Sequence, residues 1–235
     1  MGQGIHTVAR QILCEVLGLD GSVQIDVKCC TGAEARGGVT TASRGTVLMG
    51  NSVILAAQKL KADLKDRLLA DLVGKEYFAR FMVDWTTDHH VDGEIISHFS
   101  YGYAAHLAVL DEDGKLQAIH AAHDGGRVIN PALFEGQIEG GVVMGMGYAL
   151  SEKLPLKDGR LTSERMSKLG LPKAKDVPEI KVISVECADV IGPFGAKGVG
   201  EIGTIPTAPA IANAFCRYDG QRRYTLPLTP PAAEK

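Results

Sequence analysis

No stretch of this 235-residue sequence is both apolar enough and long enough to cross a bilayer, which takes about 20 consecutive apolar residues. The longest weakly charged stretch, residues 136–150, is interrupted by Glu139 and by five glycines. The opening residues Met1-Gly2-Gln3-Gly4-Ile5-His6 have neither the positive start nor the apolar run of a signal peptide, so a cytoplasmic location is the default expectation. An excess of one charge is missing too. Lys and Arg number 25, Asp and Glu 28, giving a net charge of -3 with no basic stripe, which removes the electrostatic pull that nucleic acid or anionic lipid requires. A small molecule or another protein is the expected partner. Cysteine supplies no framework: Cys14, Cys29, Cys30, Cys187 and Cys216 are odd in number and lack C-x-x-C spacing, so they read as reduced thiols. A four-cysteine iron–sulfur pattern and a Gly-x-Ser-x-Gly nucleophile elbow are also absent.

What is present is a globular composition, 45% hydrophobic and 23% charged, with an excess of glycine. The 28 glycines are about 12% of the chain against a usual level of roughly 7%, and no three-residue period accounts for them. Residues 4–17 carry Ile5, Val8, Ile12, Leu13, Val16 and Leu17 at helical spacing before Gly18, which predicts a helix. Residues 23–27 alternate apolar and polar and predict a strand. A second helix is expected over 45–69, and no period survives Asp84, Asp88, His89, His90 and Asp92 in 72–97. Strands at 103–110 and 115–122 flank the hairpin signal Asp113-Gly114. Asn130-Pro131 opens a third helix containing Gly136, Gly140, Gly141, Gly145 and Gly147, each costing about 1 kcal/mol relative to Ala, so close approach of a backbone or ligand is expected there. Residues 160–175 read as a loop, 180–186 as a strand and 205–215 as a helix with early Pro206 and Pro209. The mixture lacks a strict βαβ rhythm and predicts an α+β fold: a first unit at 1–71, an irregular connection at 72–97 and a second unit at 98–235.

The segment Gly192-Pro193-Phe194-Gly195-Ala196-Lys197-Gly198-Val199-Gly200-Glu201 frees the backbone to turn its N–H groups inward and sets a carboxylate at its end. Gly198 stands where a phosphate loop needs Ser or Thr after the lysine, so the segment is not a P-loop; a plain surface turn is the alternative. Gln3 between Gly2 and Gly4, and Gln137 beside Gly136, offer side-chain amides. Thr40-Thr41-Ala42-Ser43 reads first as a helix cap and second as a phosphate contact. His89, His90, His98 and His106 fit no metal-ligand spacing, and His123-Asp124 reads as a structural turn before an acid/base pair.

Five segments in order, Met1-Gly2-Gln3-Gly4-Ile5-His6-Thr7, Thr41-Ala42-Ser43, His123-Asp124-Gly125-Gly126-Arg127-Val128-Ile129-Asn130-Pro131, Gly136-Gln137-Ile138-Glu139-Gly140-Gly141 and Gly195-Ala196-Lys197-Gly198-Val199-Gly200-Glu201, are similar to the C-terminal part of the molybdenum-binding subunit of the xanthine dehydrogenase and aldehyde oxidase family. Almost the whole chain is covered. Within the family it looks like bacterial purine hydroxylases of the selenium-dependent xanthine dehydrogenase type.

The resemblance implies hydroxylation of a purine-like heteroaromatic or an aldehyde carbon with water as the oxygen source. It implies a molybdenum–molybdopterin cofactor in its cytosine dinucleotide form, with 2Fe–2S clusters and FAD on partner chains or domains. By residue-by-residue transfer, Glu201 is the general base that takes the proton from a molybdenum-bound hydroxyl, and Gln137 donates to a molybdenum oxo ligand. Gln3, flanked by Gly2 and Gly4, meets the pterin; Thr41, Ala42 and Ser43 meet the pterin or its phosphates; Gly136, Lys197, Gly198, Val199 and Gly200 line the site. No residue is implied to bind the metal directly. The family's molybdenum chain places a large region ahead of the Met-Gly-Gln-Gly motif, so this sequence reads as a C-terminal fragment or one piece of a split chain, with an N-terminal molybdenum-domain segment and iron–sulfur and flavin subunits as partners. Two rival readings are a non-catalytic structural or assembly lobe that needs a partner to bind cofactor, and a carrier for the cofactor.

Overall fold

Apolar residues recurring every three to four positions make the first helix, α1 (Ile5–Leu17), which stops at Gly18 in the left-handed conformation with its N–H donating to the Glu15 carbonyl. The computed structural model describes residues 2–20, 22–30, 32, 38–87, 93–163 and 165–231. Helix α1 buries Ala9, Ile12 and Val16 against α2 (Gly45–Asp63), whose Val47 and Ala57 face it from a buried stripe. Ile12 is wholly buried, a contribution of about 1.5–3 kcal/mol. Helix α2 is shorter than the expected 45–69. Past Leu60 the apolar stripe has nothing to pack on, and Leu68 and Leu69 are exposed, so the chain leaves the helix at Asp63 and makes only a single 3-10 turn, Leu69–Leu72.

The strand expected at 23–27 does not form. Its alternation is real, but among the described residues no neighbouring strand takes up its backbone hydrogen bonds, and without a partner a period of two does not make a strand. Residues 73–87 and 93–97 carry neither helix nor strand, and His89 and His90, with Asp88 and Asp92, lie outside the described residues.

The hairpin forms as expected. Strands β1 (Ala104–Leu110) and β2 (Leu116–Asp124) pair antiparallel around a turn in which Gly114 donates to the Asp111 carbonyl. Helix α3 (Pro131–Leu150) follows, its first turn capped by Asn130, whose Oδ1 accepts the Leu133 N–H at 3.0 Å. The 160–175 tract is not plain loop: β3 (Leu156–Lys157) and β4 (Arg160–Leu161) form a two-residue ladder, followed by two 3-10 turns. Strand β5 (Glu179–Val185) then pairs parallel to β2, so the sheet is mixed and runs β1-β2-β5. The last helix, α4 (Thr207–Asp219), starts after Pro206 rather than at the exposed Ile205, and packs on β1 through the second unit's core.

Contacts group the chain into two units, each discontinuous in sequence. The first takes Met1–Gly102, Gly125–Leu133 and Glu186–Gly198; the second takes Tyr103–Asp124, Phe134–Val185 and Val199–Lys235. The sequence predicts two successive units with a connection between them; these groupings instead interleave along the chain. The core of the first is built on Ile12, Val47 and Pro193, and that of the second on Ile119, Ile138, Val142 and Ile211. All five cysteines are free thiols, and no described helix is long and apolar enough to cross a membrane.

Candidate functional site

In the first unit the chain enters α2 through two successive non-glycine residues in the left-handed region, Ala42 at φ 50° and Ser43 at φ 52°. Each costs about 1–2 kcal/mol, so the surrounding contacts must hold them there. Two such contacts are visible. Arg44 folds back so that Nε and Nη2 donate to the Val39 carbonyl at 3.0 and 2.6 Å, and Gly198 lies flat on the Ser43 carbonyl, where any Cβ would overlap that oxygen. The expected helix cap from Thr40, Thr41 or Ser43 is not found: Arg44 holds the cap position and no side chain caps the helix, because the left-handed pair turns the preceding backbone away from the helix start. The Thr41 carbonyl instead accepts the Arg44 N–H at 3.3 Å.

The approach of Lys197 and Gly198 to this turn is pinned by backbone bonds. Lys197 N–H donates to the Gly125 carbonyl at 2.8 Å, and Arg127 N–H to the Gly195 carbonyl at 3.1 Å. Lys197 is buried. Beside it opens a cleft of about 960 Å³, lined by Gln3, Ala42, Ser43, Lys197 and Gly198 together with Arg80, which sequence reasoning missed. Five expected residues are thus brought together; Gly2, Gly4 and Thr41 are not among the lining residues. Arg80 sits in the tract without periodicity, so no pattern marked it.

In the second unit, Gln137 projects from α3 and its Nε2 donates to the Gly200 carbonyl at 2.8 Å. The following turn closes through Thr204 N–H to the Glu201 carbonyl at 3.1 Å and carries Glu201 exposed at its start. Four of the five glycines of α3 divide into two sets, and the fifth, Gly147, packs on Glu152 and Pro172. A Cβ at Gly141 would stand 2.9 Å from Gly203 Cα, and one at Gly145 2.7 Å from Thr207 Cβ, so these two let α3 lie directly on the turn and the start of α4. Gly136 and Gly140 face open space.

Beneath the turn lies a buried polar cluster. His106 Nε2 and His123 Nε2 are 2.7 Å apart, and His106 Nδ1 is 3.1 Å from Thr207 Oγ1. Burial, with His123 adding to it, pushes the His106 imidazole down to about 4, and burial lowers His123 as well. The signal for this pair was in the hairpin: the Asp-Gly turn sets Ala104 opposite His123 and His106 opposite Ala121, which makes the two histidines diagonal neighbours on one face. Among the described residues no group of three or more His, Cys, Asp or Glu is arranged to hold a metal ion.

Comparison with known proteins gives the family and the fold. Residues 1–178 match the family model described as a molybdopterin cofactor-binding domain. A chain of a probable xanthine dehydrogenase from Bacillus subtilis is 32% identical over 91% of this chain and 33% of its own length. The carbon monoxide dehydrogenase large chain of Hydrogenophaga pseudoflava is 28% identical over 97% of this chain and 33% of its own. Among solved structures, the aldehyde oxidoreductase from Desulfovibrio gigas superposes with a TM-score of 0.79 at 24% identity, over 96% of this chain and 27% of that one, a likeness of fold. The chain spans about a third of the length of the curated relatives it matches.

Proposed function

The chain belongs to the family of molybdopterin cofactor-binding domains, and from that premise we propose that it is the C-terminal part of a molybdenum hydroxylase acting on a purine-like heteroaromatic or an aldehyde carbon with water as oxygen source. The observation that carries this reading is the first unit's cleft. Its volume of about 960 Å³ suits a ligand larger than a single ring, and its lining includes Gln3, Ser43, Lys197 and Arg80, side-chain types that donate hydrogen bonds. Such donors fit a polar heterocycle carrying phosphate, and the close packing of Gly198 on the Ser43 carbonyl holds that turn at the edge of the cleft. Gln3, between Gly2 and Gly4, and the Thr41-Ala42-Ser43 backbone would hold the pterin and its phosphates in the cytosine dinucleotide form.

When bound, the molybdenum centre would supply oxygen-transfer and two-electron redox chemistry, with iron–sulfur and flavin groups on partner chains as the expected electron acceptors. The protein's own contribution on the second unit is Glu201, an exposed carboxylate whose turn is tied to Gln137 through the Gly200 carbonyl. As general base it takes a proton at its carboxylate oxygen, a role worth about 10²–10⁴-fold in rate. Gly136, Val199 and Gly200 would line the site beside it. The test is Glu201→Gln in the assembled enzyme, with molybdenum and released cytidine nucleotide measured beside turnover. Normal molybdenum with turnover abolished is expected; substantial turnover removes Glu201 from the role.

A second reading, an assembly lobe that holds cofactor only with a partner, is favoured by the exposed Tyr148, Ile205 and Tyr224 on the second unit. Metal analysis with gel filtration separates the two: a monomer holding stoichiometric molybdenum rules the assembly lobe out.

A further inference from the structure

The cluster of His106, His123 and Thr207 has a direction that can be worked out from one end. Thr207 is fully buried, and its Oγ1 donates to the Gly203 carbonyl at 3.2 Å. A hydroxyl has one proton. With that proton committed to the carbonyl, Oγ1 can only accept from His106 Nδ1 at 3.1 Å, so His106 carries its proton on Nδ1. The Nε2 of a neutral His106 is then bare, and His123 Nε2, 2.7 Å away, must be the donor. His123 is thereby fixed as the opposite tautomer. Its Nδ1 is left as a bare acceptor, and this atom is buried without a hydrogen-bond partner. The chain of donors runs from His123 on β2, through His106 on β1 and Thr207 on α4, to a carbonyl of the turn that begins with Glu201.

We infer that Thr207, oriented by the His106–His123 pair, is a positioning residue that fixes the far end of the Glu201 turn as Gln137 fixes its near end. A Thr hydroxyl bonded to the carbonyl four residues earlier is common in helices and needs no donor behind it. Here a buried imidazole, His123, and a part-buried one, His106, stand behind it, and Gly145 leaves the space in which Thr207 stands. The orphaned lone pair on His123 is what this ordering costs: a buried acceptor without a partner disfavours the fold, and a core of apolar residues would avoid it. The inference rests on the reading of Glu201 as the base.

The test uses the full chain. Histidine nitrogen NMR at pH 7 should find the proton on Nδ1 of His106 and on Nε2 of His123; the reverse tautomers, or a charged ring, overturn the assignment. Thr207→Val should speed amide exchange at Thr204 and Ile205 by about tenfold, the loss of one hydrogen bond, with Thr207→Ser restoring it and β5 unaffected. Unchanged exchange overturns the positioning role. If the valine variant does not fold, His106→Gln carries the same comparison, and exchange at Thr204 unmoved by it reduces Thr207 to a local helix bond and refutes the inference. In the assembled enzyme Thr207→Val should lower kcat with KM unchanged. Failure of the Glu201 reading is separately visible, as full turnover in Glu201→Gln with the exchange results intact.

Discussion

Acidification should loosen the second unit through the His106–His123 pair. The perturbation is a fall in pH from 7 to 4.5. His106 is held down to about 4 against an ordinary value of 6.5, chiefly by burial and then by His123. In the unfolded chain the ring takes its proton below about 6.5, while in the folded one it stays neutral until about 4, so the unfolded state binds more protons throughout that window. Stability is therefore full above 6.5 and falls as pH drops toward 4. At about 1.4 kcal/mol per unit the whole displacement is worth about 3 kcal/mol, and because His106 is only part-buried we halve it to about 1.5 kcal/mol. His123, lowered by its own burial, acts in the same direction. The groups facing the pair are each other across β1 and β2 and Thr207 from α4; Asp124, next to His123 on β2, is buried on the strand's other face. Asp63, held down by Lys75 and Tyr77, and Asp219, held down by Arg223, have folded values below 3.8, so their contribution is lost only at lower pH. The assay is amide exchange of β1 and β2 under conditions where reclosing outpaces exchange, corrected for intrinsic rates at each pH. A loss of about 1.5 kcal/mol in opening free energy is expected in the wild type, with a much shallower slope in His106→Gln. A flat profile, or an equal slope in the variant, would refute the reasoning.

Gly198→Val should displace the Ser43 carbonyl and undo the left-handed pair, lowering thermal stability by about 1–3 kcal/mol and, in the assembled enzyme, molybdenum content by metal analysis. Gly145→Ala should destabilise by a similar amount, about 1–3 kcal/mol in urea unfolding, despite its better helix propensity, because the new Cβ meets Thr207 and the Thr204 carbonyl. Gly140→Ala, which meets nothing, should stabilise the same helix by up to about 1 kcal/mol in the same experiment. Breaking the exposed pair of Arg127 with Glu15, at 2.5 and 3.1 Å, by Arg127→Met should cost no more than about 1 kcal/mol in thermal unfolding.

What could be read from the sequence was what local periodicity and turn chemistry decide. The stop at Gly18, the Asp-Gly hairpin, the Asn130-Pro131 helix start and the α+β class all follow from residues within one turn of each other. The strand at 23–27 failed because a strand is a relation between two segments, and alternation reports only one of them. The helix at 45–69 was overextended for a related reason: Leu68 and Leu69 look like a continuing stripe, and only the folded chain reveals that nothing lies against them. Of the candidate site, the cleft residues Gln3, Ala42, Ser43, Lys197 and Gly198 came from motif resemblance; Arg80 escaped because it stands in neither a motif nor a periodic run, and Thr207 because its place in the helix expected at 205–215 says nothing of the histidine it meets from another element.

The glycine excess, the feature least explained by composition, separates into structural and open positions. Gly141 and Gly145 lie on the Gly203–Thr207 backbone and are required by packing alone. Gly136 and Gly140 meet no atom within 4 Å, so packing within the chain gives no reason to forgo the side chain there, and each still costs about 1 kcal/mol relative to Ala. The proposed cofactor site, with Gly136 beside Gln137 in its lining, would supply the reason that packing does not. That distinction makes Gly136→Ala informative where Gly141→Ala is not. Measured on the chain alone, Gly136→Ala should raise the melting temperature; measured as molybdenum content of the assembled enzyme, it should fall. A rise in both would leave Gly136 without a ligand and return α3's open glycines to the status of unused surface.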